Sequence, residues 1–149
     1  MKRFLLVSGF LFVFALAARA GSDDDLKVMQ GTWSATIIEA AGKPPPAEEK
    51  ETKIKVVVKG NAYTVFFNDK QIVEGTLKLD AKKKPKTIDA IAKDGPLKDK
   101  VQPGIYEIKG ADEMRLLFTQ PDMDRPTEFK TKEKSLEVLM TYKRIKEKK

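Results

Sequence analysis

The sequence predicts an all-β fold, a single antiparallel up-and-down barrel of about eight strands, and three observations carry that prediction. Beyond the first 25 residues, apolar and charged side chains alternate with period two in segment after segment. In 53–59, for example, Ile54, Val56 and Val58 oppose Lys53, Lys55 and Lys59. Most segments are joined by turns so short that they can only reverse the chain, such as Gly60-Asn61 and Asn68-Asp69, so sequential neighbours run antiparallel. No stretch of the domain reads as a long helix. An antiparallel meander of this size must hide one face and protect its edges, and closing into a ring does both. A two-sheet sandwich is the alternative. A membrane barrel is not, because its outer face would be apolar with aromatic girdles, whereas here almost every strand carries Lys or Glu on one face.

The N-terminus reads as an export signal. Met1-Lys2-Arg3 is basic, 4–16 is almost unbroken apolar, and Ala18-Arg19-Ala20 places small residues where a signal peptidase reads them. The apolar run is shorter than the roughly 20 residues of a spanning helix. Cleavage after Ala20 is therefore expected, with no stable membrane insertion afterwards. The chain has no Cys, which excludes a lipid-anchored lipoprotein. The expected location is periplasm, cell envelope or extracellular space.

Removing 20 of the 149 residues leaves 129, enough for one domain with a sizeable core. The organisation expected is a signal peptide at 1–20, a disordered acidic N-terminus at 21–25, a barrel domain at 26–144 and a basic tail at 145–149. Asp23-Asp24-Asp25 lacks the alternating ligands and the glycine of a calcium loop.

The elements follow in order. Gly31-Thr32-Trp33 leads into a first strand at 33–40. A connector with Pro44-Pro45-Pro46 follows, in which three residues cannot donate to a ladder. Strands at 53–59 and 62–67 form a hairpin, the second turning Tyr63, Val65 and Phe67 to one side. In 71–79, Val73, Gly75, Leu77 and Leu79 oppose Glu74, Thr76 and Lys78. After a lysine-rich turn at 82–85, 87–93 sets Ile88, Ala90 and Ala92 against Asp89 and Lys93. Asp94-Gly95-Pro96 breaks the pattern, which resumes at 104–109 with Tyr106 and Ile108 on one face. Met114, Leu116 and Phe118 alternate next. A loop around 120–126 and a short extended piece at 127–129 precede the last strand, where Leu136, Val138, Met140 and Tyr142 alternate with Glu137, Thr141 and Lys143.

Composition excludes several chemistries. With neither His nor Cys, there is no Ser-His or Cys-His pair and no usual zinc site. Ser22, Ser34 and Ser135 do not sit in nucleophile elbows. Asp89 and Glu107 alternate with apolar residues and so point outward. The expectation is a non-enzyme with no catalytic residue, no metal and no cofactor. The formal charge of +7 counts Lys2, Arg3 and Arg19, so the exported chain carries about +4, widely spread. A nucleic-acid partner would call for a concentrated basic face with interleaved aromatics, so none is expected. The run at 82–86 reads as a solvated turn. Arg125-Pro126-Thr127-Glu128-Phe129 reads as a loop anchored by Phe129, with Arg125 paired to a carboxylate, in preference to an anion site at a barrel mouth.

Gly31-Thr32-Trp33 at the start of the first strand resembles the G-x-W signature of lipocalins and related small barrels. The resemblance implies that Trp33 plugs the closed end and that a cationic side chain from the last strand, Lys143 or Arg144, packs over its ring. Five blocks in order are similar to a lipocalin-like secreted domain abundant in planctomycetes. They are 29–33, 73–80, 83–89, 103–108 and 125–129. That likeness spans 26–144, implies fold and secretion, and carries over no catalytic residue.

The leading expectation is a secreted barrel that binds a small apolar or amphipathic ligand. By parity, Tyr63, Val65, Phe67 and Tyr106 face the cavity, joined by Met114, Leu116 and Met140, with the Tyr63 and Tyr106 hydroxyls available to orient a ligand. Trp33 and Arg144 form the plug. The alternative is a barrel filled solid by its own side chains, acting as a structural or protein-interaction module through the loops at 94–103 and 120–126. A cavity of roughly 300 Å³ or more, apolar and open, distinguishes the first from the second. A carboxylate hydrolase would need two acids facing each other inside, roughly 5–9.5 Å apart. Nothing in the pattern sets an oligomeric state.

Overall fold

The computed structural model describes residues 17–49 and 53–148, apart from the side chains of residues 17–20 and 49. The apolar stretch of the expected signal, 4–16, lies outside them. Among the described residues eight strands form: β1 (Gly31–Ala40), β2 (Ile54–Lys59), β3 (Ala62–Phe67), β4 (Lys70–Asp80), β5 (Lys86–Ala92), β6 (Val101–Ile108), β7 (Glu113–Phe118) and β8 (Val138–Arg144). Each pairs antiparallel with the next, and β8 returns to β1, closing the lipocalin-like up-and-down barrel. Short turns drive this order. At the β3–β4 connection Asn68 and Asp69 both adopt positive φ, 49° and 63°, the left-handed pair that matches a two-residue hairpin to the strand twist.

Two bulges lie near one end of the barrel. Ile37 faces Met140 while Glu39 faces Leu139, so Ile38 is an extra residue on β1. Val65 faces Val73 while Phe66 faces Gln71, so Ile72 is extra on β4. Bulges re-aim side chains at barrel rims, and here Ile38 and Ile72 emerge exposed. This rim, made by the ends of odd-numbered strands and the starts of even-numbered ones, is the open end.

The acidic N-terminus is ordered, not disordered as its composition suggests. A helix, α1 (Ala17–Val28), spans it and lies over the opposite end of the barrel. The Ala81 N–H donates to Ser22 Oγ at 3.0 Å, and Asp25 is held by two side chains described below. The extended piece expected at 127–129 is a series of bends. It belongs to a long β7–β8 loop that straps the outside of the barrel. Arg125 donates to the carbonyls of Ile88 and Gly104 at 3.0 and 2.8 Å and pairs with Asp89 at 2.6 Å. Phe129 packs on the outward-facing Ile105, Leu117 and Leu139, under the Arg115 guanidinium 4.3 Å from its ring centre. The loop thus covers an apolar outer face of β6, β7 and β8 that simple alternation would leave wet.

Candidate functional site

The closed end is built around Trp33, which is fully buried. Its indole N–H donates to the Met29 carbonyl at 2.8 Å. Parity on β8 turns Val138, Met140 and Tyr142 inward, and Arg144 continues that row. Of the two cations the sequence offers, Arg144 therefore lies over the indole, 4.2 Å from the ring centre. It donates to the carbonyls of Val28 at 2.6 Å and Ala111 at 2.8 Å, donates to Gln30, and pairs with Asp112 at 3.2 Å. Gly31 makes room for it. Its φ is +113°, and a Cβ there would sit 2.9 Å from the Arg144 Nη1.

The helix α1 completes this end. Leu26 and Met29 pack into the core. Asp25 accepts from the Tyr106 hydroxyl at 2.7 Å and from Lys86 at 2.8 Å. Burial, and then the bond to the Asp25 carboxylate, push the Tyr106 hydroxyl well above the usual tyrosine range. Tyr106 is therefore a fastener for the helix and does not line the cavity. That corrects the expectation of a ligand contact: parity placed the ring inside, but α1 occupies the space beneath it.

Above this floor lies a cavity of about 720 Å³ that opens at the far rim. Tyr63, Val65, Met114, Leu116 and Met140 line it, five of the seven residues expected there. Phe67 is outside the lining and 46% exposed at the rim. It is the last residue of β3, level with the start of β4, where the strand pair leaves the barrel. Met29 and Tyr142 line the cavity too, and Ile88, Leu77 and Ala90 contribute to its walls.

The open bore has a local cause. On β5 the inward side chains include Ala90 and Ala92, which take up little space. Opposite Tyr63, position 75 is glycine: a Cβ there would lie 2.7 Å from Tyr63 Cε1 and 2.2 Å from the Ile91 carbonyl oxygen. The Tyr63 ring thus packs against bare backbone on the wall and does not cross the bore. Burial, with a smaller contribution from the Asp94 charge, raises the Tyr63 pKa. Burial alone raises that of Tyr142, whose hydroxyl sits 3.7 Å from Met140 Sδ.

The mouth carries residues outside the set expected to face the cavity: Ile37, Ile72 and Leu136, with residues 94–97, Gln102 and Gln120 from the loops at 94–103 and 120–126 to which the alternative reading assigned function. Leu136 projects largely into solvent. Among the described residues, Asp94 is the one acid of the lining, and no Lys or Arg joins it. Asp89 and Glu107 face outward, paired with Arg125 and Arg115. No group of three or more acidic residues among the described ones is placed to hold a metal ion. No helix among them is long and apolar enough to cross a membrane. Comparisons of the chain with protein families, curated proteins and solved structures gave no match.

Proposed function

We propose that this protein is an exported, non-enzymatic, lipocalin-like binding protein that takes a small apolar or amphipathic molecule into its barrel. The observation that carries the reading is the cavity. At about 720 Å³ it lies in the size range of small-molecule sites, roughly 300–1,000 Å³, and its walls are almost wholly apolar. Water inside such walls finds few hydrogen-bond partners. A ligand that displaces it gains about 25 cal/mol for each Å² of apolar surface removed from solvent. The closed end supports the same reading, because Trp33, Arg144 and α1 leave the opposite rim as the way in. The open bore favours this reading over that of a solid structural module. A hydrolase would need a second carboxylate beside Asp94. Export rests on the residues at 1–20, and cleavage after Ala20 would spare Ser22 and Asp25, which fasten α1.

Native mass spectrometry of the protein purified from its own envelope fraction tests this. The expected result is a population heavier than the chain by one small organic molecule, released on denaturation. Protein that is empty in repeated preparations, and unresponsive to apolar fluorescent probes, would contradict it.

A further inference from the structure

The mouth of the cavity holds a pair of polar side chains that the fold itself leaves unused. Gly104 on β6 faces Phe118 on β7. The ladder runs one step further, through the Thr119 N–H to the Pro103 carbonyl at 3.1 Å. That register sets Gln102 directly opposite Gln120, and both side chains line the cavity, half-buried. Ala90, the β5 neighbour of Gln102, is too short to reach either amide. Among the described residues neither side-chain amide makes a hydrogen bond to the protein, although Gln30, the glutamine at the closed end, uses both of its amide atoms, to Gly60 and Leu26. Half-buried amides without protein partners at the rim of an apolar cavity offer two N–H₂ donors and two carbonyl acceptors to whatever enters.

We propose that Gln102 and Gln120 are the head-group subsite of this cavity, and that they select an uncharged amphiphile whose polar end both donates and accepts, a primary amide or an alcohol. The inference rests on the binding reading above and narrows it. Charge argues for a neutral head. An ionised carboxylate would meet no Lys or Arg in the described lining, and would meet the like charge of Asp94. An ammonium group would gain little from Asp94. That carboxylate is exposed, already accepts from the Glu74 N–H at 3.2 Å, and lies on a loop that also carries Lys93, Lys98 and Lys100. Two ordinary hydrogen bonds from the amide pair amount to about tenfold in affinity.

The test is displacement of the neutral probe N-phenyl-1-naphthylamine by ten-carbon ligands that differ only at the head: decanamide, 1-decanol, decanoate and decylammonium, at pH 7.5. Decanamide and decanol are expected to displace the probe at about tenfold lower concentration than decanoate. In the double variant Gln102→Leu/Gln120→Leu, the advantage of decanamide over decanoate should shrink to within about twofold, whatever the affinity of the probe, and an unfolding midpoint in urea reports whether the barrel is intact. Decanoate or decylammonium as the tightest ligand would overturn the proposal, as would a double variant that keeps the wild-type advantage of decanamide over decanoate. Failure of the wild-type protein to bind the probe at all would overturn the cavity reading together with this one, and is told apart by that first titration.

Discussion

At the scale of single residues, Arg144 does work that no other cation could do from its position. Its planar group stacks on Trp33 while its N–H donors reach the carbonyls of Val28, Gln30 and Ala111. An ammonium group has neither the flat face nor the fork. Arg144→Lys should lower stability by about 2 kcal/mol, read by urea unfolding with Trp33, the only Trp, as the fluorophore; an unchanged midpoint would mean that the cap is ornamental. The three tyrosines make a second prediction. All three have pKa values raised by burial in the folded state. Unfolded, they ionise near pH 10. Their contribution to stability is thus complete below about pH 10 and is lost as pH rises beyond it, because the unfolded chain releases protons that the fold retains. Unfolding midpoints measured from pH 8 to 12 should fall only above about pH 10. Tyrosinate absorbance should rise at higher pH in the folded protein than in the urea-unfolded chain. Residue-level legibility was uneven for a physical reason. Trp33 was readable because Gly31-Thr32-Trp33 is a short contiguous stretch, and its resemblance to the signature of other small barrels implied the plug. Asp25 was not, because its partners, Lys86 and Tyr106, lie far along the chain and composition alone describes a solvated acidic run.

At the scale of elements, strand parity carried most of the fold, and β3 was read to the residue. The misreadings sit where an element breaks its own pattern. β6 begins at Val101 and contains Pro103, a residue that argues against a strand when read in sequence; its start was placed at 104, and Gln102 was lost from the site as a result. The bulges at Ile38 and Ile72 are silent in sequence, since an extra residue shows only as a slip in pairing. The β3–β4 pair yields a direct prediction. Gly75→Ala would drive a methyl group into the Ile91 carbonyl and the Tyr63 ring. It should cost about 1–3 kcal/mol in urea unfolding and swing the ring into the bore, reducing probe binding as well. A stable variant with unaltered binding would show that Tyr63 is not held against the wall.

At the scale of the whole molecule, closure was legible and the cavity was not. Alternation says which face turns inward, but the volume left inside depends on how large and small residues meet across the ring. The inward set is rich in bulky side chains, which pointed equally well to a filled barrel. Ala90, Ala92 and Gly75 decide the matter, and they do so only once register sets them beside Leu77 and Tyr63. The cavity wall offers the most direct test. Ala90 is buried in the cavity wall, and Ala90→Phe would place a ring in the bore. The measurement is a fluorescence titration of N-phenyl-1-naphthylamine into wild type and Ala90→Phe side by side. An open, ligand-binding bore predicts one saturable site in the wild type and loss of most of that binding in the variant, with an unfolding midpoint unchanged or raised because space has been filled. No saturable binding to the wild type, or equal binding to both proteins, would contradict it.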